Sequence, residues 1–185
     1  MTTVFIFHGV NGSPDENWFP WLKTKLQKTG ITAIVPRFPS PDHPELTGWL
    51  DHLKQYEPLP DCKSILVGHS LGSALALRIL ERRTEPVKAT FLVAPVWGVM
   101  KNKFDPLMMS FTAAPYDWKK IKKNAGEIHI INSDNDPYIT LEKTEALASN
   151  LGSNVTLIGN GGHFNAAAGF TEFPQLLNMI QESYK

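Results

Sequence analysis

Short apolar runs alternate along the chain with longer amphipathic stretches. Six of these runs are too brief for a helix and rich in β-branched or aromatic residues, which predicts strands at Thr3 to Phe7, Thr32 to Val35, Ser64 to Val67, Ala89 to Val93, Ile128 to Asn132 and Val155 to Ile158. All six are nearly free of polar residues, so they are expected to be buried on both faces, as strands of a parallel sheet are. Helical periodicity falls between them, at about Trp18 to Lys28, Leu46 to Gln55, Leu71 to Arg82, Leu141 to Asn150 and Pro174 to Glu182. This alternation predicts an α/β fold with mainly parallel strands and helices on both faces.

Two places interrupt the pattern. Ser13-Pro14-Asp15-Glu16 has the form of a helix capping box, yet Pro20 would interrupt a helix that started there, so a short turn followed by a fresh helix is expected. From Val96 to Asn124 the alternation breaks, and two prolines accompany Trp97, Phe104, Met108, Met109, Phe111, Tyr116 and Trp118. We read residues 96–124 as an irregular insertion near the sheet's edge and close to the active site. With no linker, repeat or low-complexity tract, residues 1–185 are taken as a single domain.

Composition narrows the function classes. The 185 residues carry 18 Lys+Arg against 18 Asp+Glu, which supplies no field to concentrate nucleic acid or an anionic membrane. The basic cluster Lys119, Lys120, Lys122 and Lys123 is too small to change this and is expected to be a solvated helix face. Cys62 is the single cysteine, so neither an intrachain disulfide nor a cysteine-based zinc cage can form. With no basic leader and no bilayer-length apolar run, a cytoplasmic location is expected.

The sharpest chemical signal is Gly68-His69-Ser70-Leu71-Gly72, a G-x-S-x-G directly after a predicted strand and opening a predicted helix. That context is a nucleophile elbow, in which the glycines leave room for a tight reversal and Ser70 projects above the sheet. The Leu71 amide, at the helix N-terminus, would face a developing oxyanion. A serine hydroxyl needs a base, and His163 is the best placed of six histidines, in the loop after the last strand where a parallel sheet collects its ligands. An orienting carboxylate is expected from the loop after the preceding strand, where Asp136 is favoured over Asp134. The order Ser, Asp, His is that of α/β-hydrolases. For a second oxyanion donor, Phe7-His8-Gly9-Val10-Asn11-Gly12 offers the Val10 amide first and Asn11 next, with His8 in a supporting role. Asn11, His69, Trp97 and Phe164 are the candidates for lining the substrate pocket.

Together these residues resemble the α/β-hydrolase superfamily, and within it the small serine-hydrolase family of the retinoblastoma-binding hydrolase and the YdeN-like proteins. Asn17-Trp18-Phe19-Pro20-Trp21-Leu22, Asp117-Trp118-Lys119-Lys120-Ile121-Lys122, Asp134-Asn135-Asp136-Pro137 and Gly162-His163-Phe164 extend the likeness over essentially the whole chain. The resemblance implies a compact hydrolase core without a large cap, a triad of Ser70, Asp136 and His163, and hydrolysis of small esters or amides. It places the carboxylate before proline, at Asp136. A retinoblastoma-binding L-x-C-x-E segment is absent, so that partner is not carried over, and Thr140 stands where the family often has proline. The leading expectation is a carboxylesterase-like serine hydrolase acting on a small acyl substrate without metal or organic cofactor. A thioesterase or acyl transferase would use the same triad. A protein-interaction module on a hydrolase fold, using the aromatic and Met-rich residues of the insertion, is the alternative from another class.

Overall fold

The computed structural model describes residues 2–56 and 59–184. Its frame is one six-stranded sheet with every neighbouring pair parallel, built from β1 (Thr3–Phe7), β2 (Thr32–Ile34), β3 (Ser64–His69), β4 (Ala89–Val93), β5 (Glu127–Ser133) and β6 (Val155–Ile158). The strand order is β2-β1-β3-β4-β5-β6. The chain therefore winds outward from β1 to β2, returns past it to β3, and continues to β6. That reversal puts a topological switch point between β1 and β3, and open α/β sheets bind ligands outside the strand ends at such a point.

Burial follows position in the sheet. Every residue of β1, β3 and β4 is buried, which accounts for their continuous apolar sequences. The outer strands depart from the expectation of burial on both faces: Thr32 of β2 is exposed, and in β6 no residue is fully buried, with Leu157 48% exposed. Each has a sheet neighbour on one side only, so its outer flank lacks the cover that a second strand provides.

Five helices lie where periodicity predicts them: α1 (Phe19–Gln27), α2 (Leu46–Leu53), α3 (Leu71–Arg82), α6 (Leu141–Leu151) and α7 (Pro174–Ser183). Residues 14–18 turn before α1 starts, and Pro20 sits in its first turn, where a missing N–H costs nothing. The helix α3 is buried from Leu71 to Leu80, held between the sheet and two further helices.

Those two helices correct the reading of residues 96–124. The segment is not irregular, since it forms α4 (Asp105–Thr112) and α5 (Trp118–Asn124). Nor does it lie at the sheet's edge, because it leaves β4, which pairs with β3 and β5. The prolines that suggested disruption are compatible with helix: Pro106 occupies the first turn of α4, and Pro115 falls between the two helices. Asp117 caps α5 by accepting a hydrogen bond from Lys120 N–H at 3.0 Å. Met108 and Phe111 are buried, Phe104, Trp97, Tyr116 and Trp118 pack against the core, and Lys119, Lys120, Lys122 and Lys123 face solvent.

Candidate active site

Ser70 follows β3 directly and occupies the N-cap position of α3 with φ 54° and ψ −122°, a conformation that costs an L-residue on the order of 1–3 kcal/mol. The surroundings impose it. Ser70 N–H donates to Val93 C=O at 3.0 Å, and Ser70 C=O accepts from Ser73 N–H at 3.0 Å and Val96 N–H at 3.2 Å. The reversal is possible because Gly68 and Gly72 let backbones touch. A Cβ on Gly72 would lie 2.1 Å from the Phe7 carbonyl oxygen, and one on Gly68 would lie 2.5 Å from the Gly72 carbonyl oxygen.

The loop after β6 brings His163 over the same point. Its Nδ1 lies 2.9 Å from Asp136 Oδ2, and the Asp136 side chain is wholly buried. An ionised carboxylate can only accept, so Nδ1 carries the proton and Nε2 keeps its lone pair. The other Asp136 oxygen accepts from Tyr138 N–H at 2.8 Å and Ile139 N–H at 3.1 Å, which locks the carboxylate in place. Asp134 instead accepts from Asn160 N–H at 2.7 Å and ties the β5 and β6 loops together. Ser70 and His163 line one cleft but form no hydrogen bond with each other; such contacts commonly tighten only around substrate.

Two backbone amides beside Ser70 lack a hydrogen-bond acceptor among the described residues, and of the two Val10 lines the cleft. Val10 N–H makes no protein hydrogen bond, and Leu71, as first residue of α3, has no helical acceptor for its own. Asn11 N–H is consumed by Pro41 C=O at 2.6 Å, so Asn11 lines the cleft through its other atoms. His8 is fully buried against Phe38 and Trp49, and its Nδ1 meets Gly9 C=O at 2.9 Å. Burial lowers its pKa, so it braces the loop as a neutral ring.

The structure corrects two of the four pocket candidates. Phe164 is fully buried and stacks on Phe173, with ring centroids 5.3 Å apart, so it belongs to the core. Trp97 faces a neighbouring groove: its Nε1 donates to Lys143 C=O at 2.9 Å and its ring packs edge-on against Trp118. Val96, one residue earlier, is the one that faces the cleft. His69 reaches the wall of the cleft beside Ser70.

His69 does more than line it. Its Nε2 lies 2.8 Å from His163 C=O and, as the donor, holds the backbone of the histidine loop. Burial, assisted by the nearby His163, pushes its pKa down to about 3, so the ring stays neutral. Further anchors escaped the sequence reading. Trp18 Nε1 donates to Phe164 C=O at 3.0 Å, Asn17 Oδ1 accepts from Ala166 N–H at 2.8 Å, and Asn135 Oδ1 accepts from Gly162 N–H at 2.8 Å. The available signal was their presence in the Asn17-Trp18 and Asp134-Asn135-Asp136 motifs, with no indication of what they would touch. Among the described residues no group of three or more His, Cys, Asp or Glu side chains could hold a metal ion.

The cleft has two arms that meet at Ser70, Val10 and His163. One, of about 190 Å³, is walled largely by Val96, Phe104, Met108, Tyr138 and Ile139. The other, of about 240 Å³, is walled by Glu16, Asn17, His69 and Asn165.

A family model described as serine hydrolase matches residues 4–182. The chain belongs to the serine hydrolase family. The hydrolase YdeN of Bacillus subtilis (strain 168) is 32% identical over 178 residues, covering 96% of this chain and 93% of the relative. The serine hydrolase RBBP9 of Rattus norvegicus is 26% identical over 175 residues, covering 92% and 90% respectively. The crystal structure of the ydeN gene product from B. subtilis superposes with a TM-score of 0.92 at 29% identity, covering 100% of this chain and 99% of that one. This member of the family is thus a hydrolase with the α/β-hydrolase fold. Among its described residues no helix is long and apolar enough to cross a membrane.

Proposed function

We propose that this hydrolase cleaves a small ester or amide through an acyl-enzyme on Ser70. The observation that carries the reading is the convergence, on one cleft, of a serine held at positive φ, an imidazole already oriented by a buried carboxylate, and the Val10 amide without an acceptor, with the unpaired Leu71 amide next to the serine in the chain. Ser70 Oγ attacks the acyl carbon while His163 Nε2 takes its proton. The carbonyl oxygen, now an oxyanion, receives hydrogen bonds from Val10 and Leu71 N–H. His163 returns the proton to the departing oxygen or nitrogen as that bond breaks. Water then repeats the sequence and releases the acid, with Asp136 stabilising the imidazolium in both halves.

The size and openness of the cleft support a small substrate and hydrolysis. Each arm holds only a short substituent, and Ser70 remains partly exposed, so water can follow the leaving group to the acyl carbon. The direct test is intact-mass spectrometry after treatment with a fluorophosphonate, which labels an activated serine. One adduct on the native protein and none on Ser70→Ala is the expected result. A native protein that folds but takes no adduct would overturn the acyl-enzyme mechanism and direct attention to the interaction-module reading.

A further inference from the structure

The two arms of the cleft differ in charge as well as polarity. The first sets Tyr138, Phe104 and Met108 beside Asn11, Asn102 and Asn165, and no Asp, Glu, Lys or Arg lines it. The second contains a carboxylate, Glu16, and no Lys or Arg lines it. Glu16 forms no ion pair among the described residues, and the Arg37 guanidinium pairs with its chain neighbour Asp15. The imidazole of His69 offers no positive charge either, since burial keeps it neutral. Glu16 has two weak neutral partners, the Asn17 side-chain amide at 3.3 Å and the Ser13 backbone, and desolvation raises its pKa. A partly desolvated anion without a counter-charge thus stands in the same cleft as Ser70 and His163. Its energetic deficit would be relieved by a cation arriving with the substrate.

We propose that the arm walled by Glu16, Asn17 and Asn165 is a subsite for an ammonium-bearing substituent of the substrate, with Glu16 as its counter-charge. The inference rests on the hydrolytic reading of Ser70 and adds the class of substrate. The ammonium could belong to the alcohol or to the acyl portion, and the test separates them.

Two pairs of isosteric esters read the site. 2-(Trimethylammonio)ethyl acetate against 3,3-dimethylbutyl acetate puts the charge on the alcohol side. Ethyl (trimethylammonio)acetate against ethyl 3,3-dimethylbutanoate puts it on the acyl side. Glu16→Gln removes the charge but keeps an acceptor oxygen for the Ser13 turn, a position at which glutamine also serves. For one pair, the cationic-to-neutral ratio of kcat/KM should fall about tenfold from the native protein to Glu16→Gln, the scale of one close charge pair. Raising salt should shrink the native ratio and leave that of Glu16→Gln nearly flat. Equal ratios in the two proteins, for both pairs, would overturn the proposal. Binding of the same esters to Ser70→Ala, followed by NMR titration, reads the subsite without turnover. A preference for the cation that Glu16→Gln abolishes there would sustain the subsite even if the native protein proved unable to hydrolyse either ester. No preference would remove the subsite whatever the hydrolysis results.

Discussion

Ser70 stands where three fully buried parallel strands meet a helix buried from Leu71 to Leu80, and backbone contact determines its geometry. His163 stands beyond the edge strand β6, on a loop whose position depends on single hydrogen bonds from side chains: His69, Trp18, Asn17 and Asn135 each hold one backbone group of its neighbourhood. The Ser70 half therefore cannot accept added atoms, whereas the His163 half cannot lose polar ones. The difference follows from location. A central strand end is packed on every side, so shape alone defines it. A loop past an edge strand has solvent beside it and needs specific bonds to select one conformation.

The comparison can be broken most severely at Gly72. Its Cβ in Gly72→Ala would meet the Phe7 carbonyl, which is main chain of a central strand and cannot swing away. We expect destabilisation of more than about 4 kcal/mol, read as loss of soluble protein or of the urea transition. A stable Gly72→Ala protein would show that the elbow yields more than its packing indicates.

On the other half, Asp136→Asn should leave stability within about 1 kcal/mol, because the amide oxygen can still accept from Tyr138 and Ile139 N–H. Activity should nevertheless fall by about 10⁴ in kcat/KM, since the imidazole loses the acceptor that sets its tautomer. Thermal melting alongside ester kinetics separates the two effects.

His69 joins the halves, and acid should expose it. Its folded pKa of about 3 lies below the value of about 6.5 it regains on unfolding, so the unfolded chain takes up a proton that the folded one refuses. Its stabilising contribution is complete above pH 6.5 and is lost as pH falls towards 3, by up to about 1.4 kcal/mol per unit. His8, also lowered by burial, acts in the same direction. Urea unfolding at neutral pH and near pH 4.5 measures the slope, which His69→Gln should flatten.

The smallest change sharpens the contrast. Asn135→Ala removes the acceptor for Gly162 N–H and should cost about 1–2 kcal/mol. The loop carrying His163 should then loosen, lowering kcat by about tenfold, the effect of an imprecisely held base. Fluorophosphonate labelling should slow by a similar factor.

Much of this was legible beforehand because it depends on local signals. The boundaries of β1, β4, β6 and α3 follow from where apolar runs begin and end. Ser70 was marked by its glycines, His163 and Asp136 by falling just past strand ends. The helices α4 and α5 were obscured because each is short and the segment contains prolines, whose position within a helix decides whether they disrupt it. Trp97 and Phe164 looked like pocket residues because chain proximity to the catalytic loops does not specify which way a side chain turns.

The amino-acid sequence by itself determined the α/β class, the elbow, and the candidate nucleophile, acid and base, since each is encoded within a few consecutive residues by periodicity, glycine placement or strand-end position. Only the tertiary structure decided the partners: which aspartate meets the imidazole, which amides remain without acceptors, which aromatic rings fill the core, and which charge faces the cleft alone. Those properties depend on groups brought together from distant parts of the chain, as when Trp18 meets Phe164 or His69 meets His163, and a contact between them exists only once the sheet has set their separation.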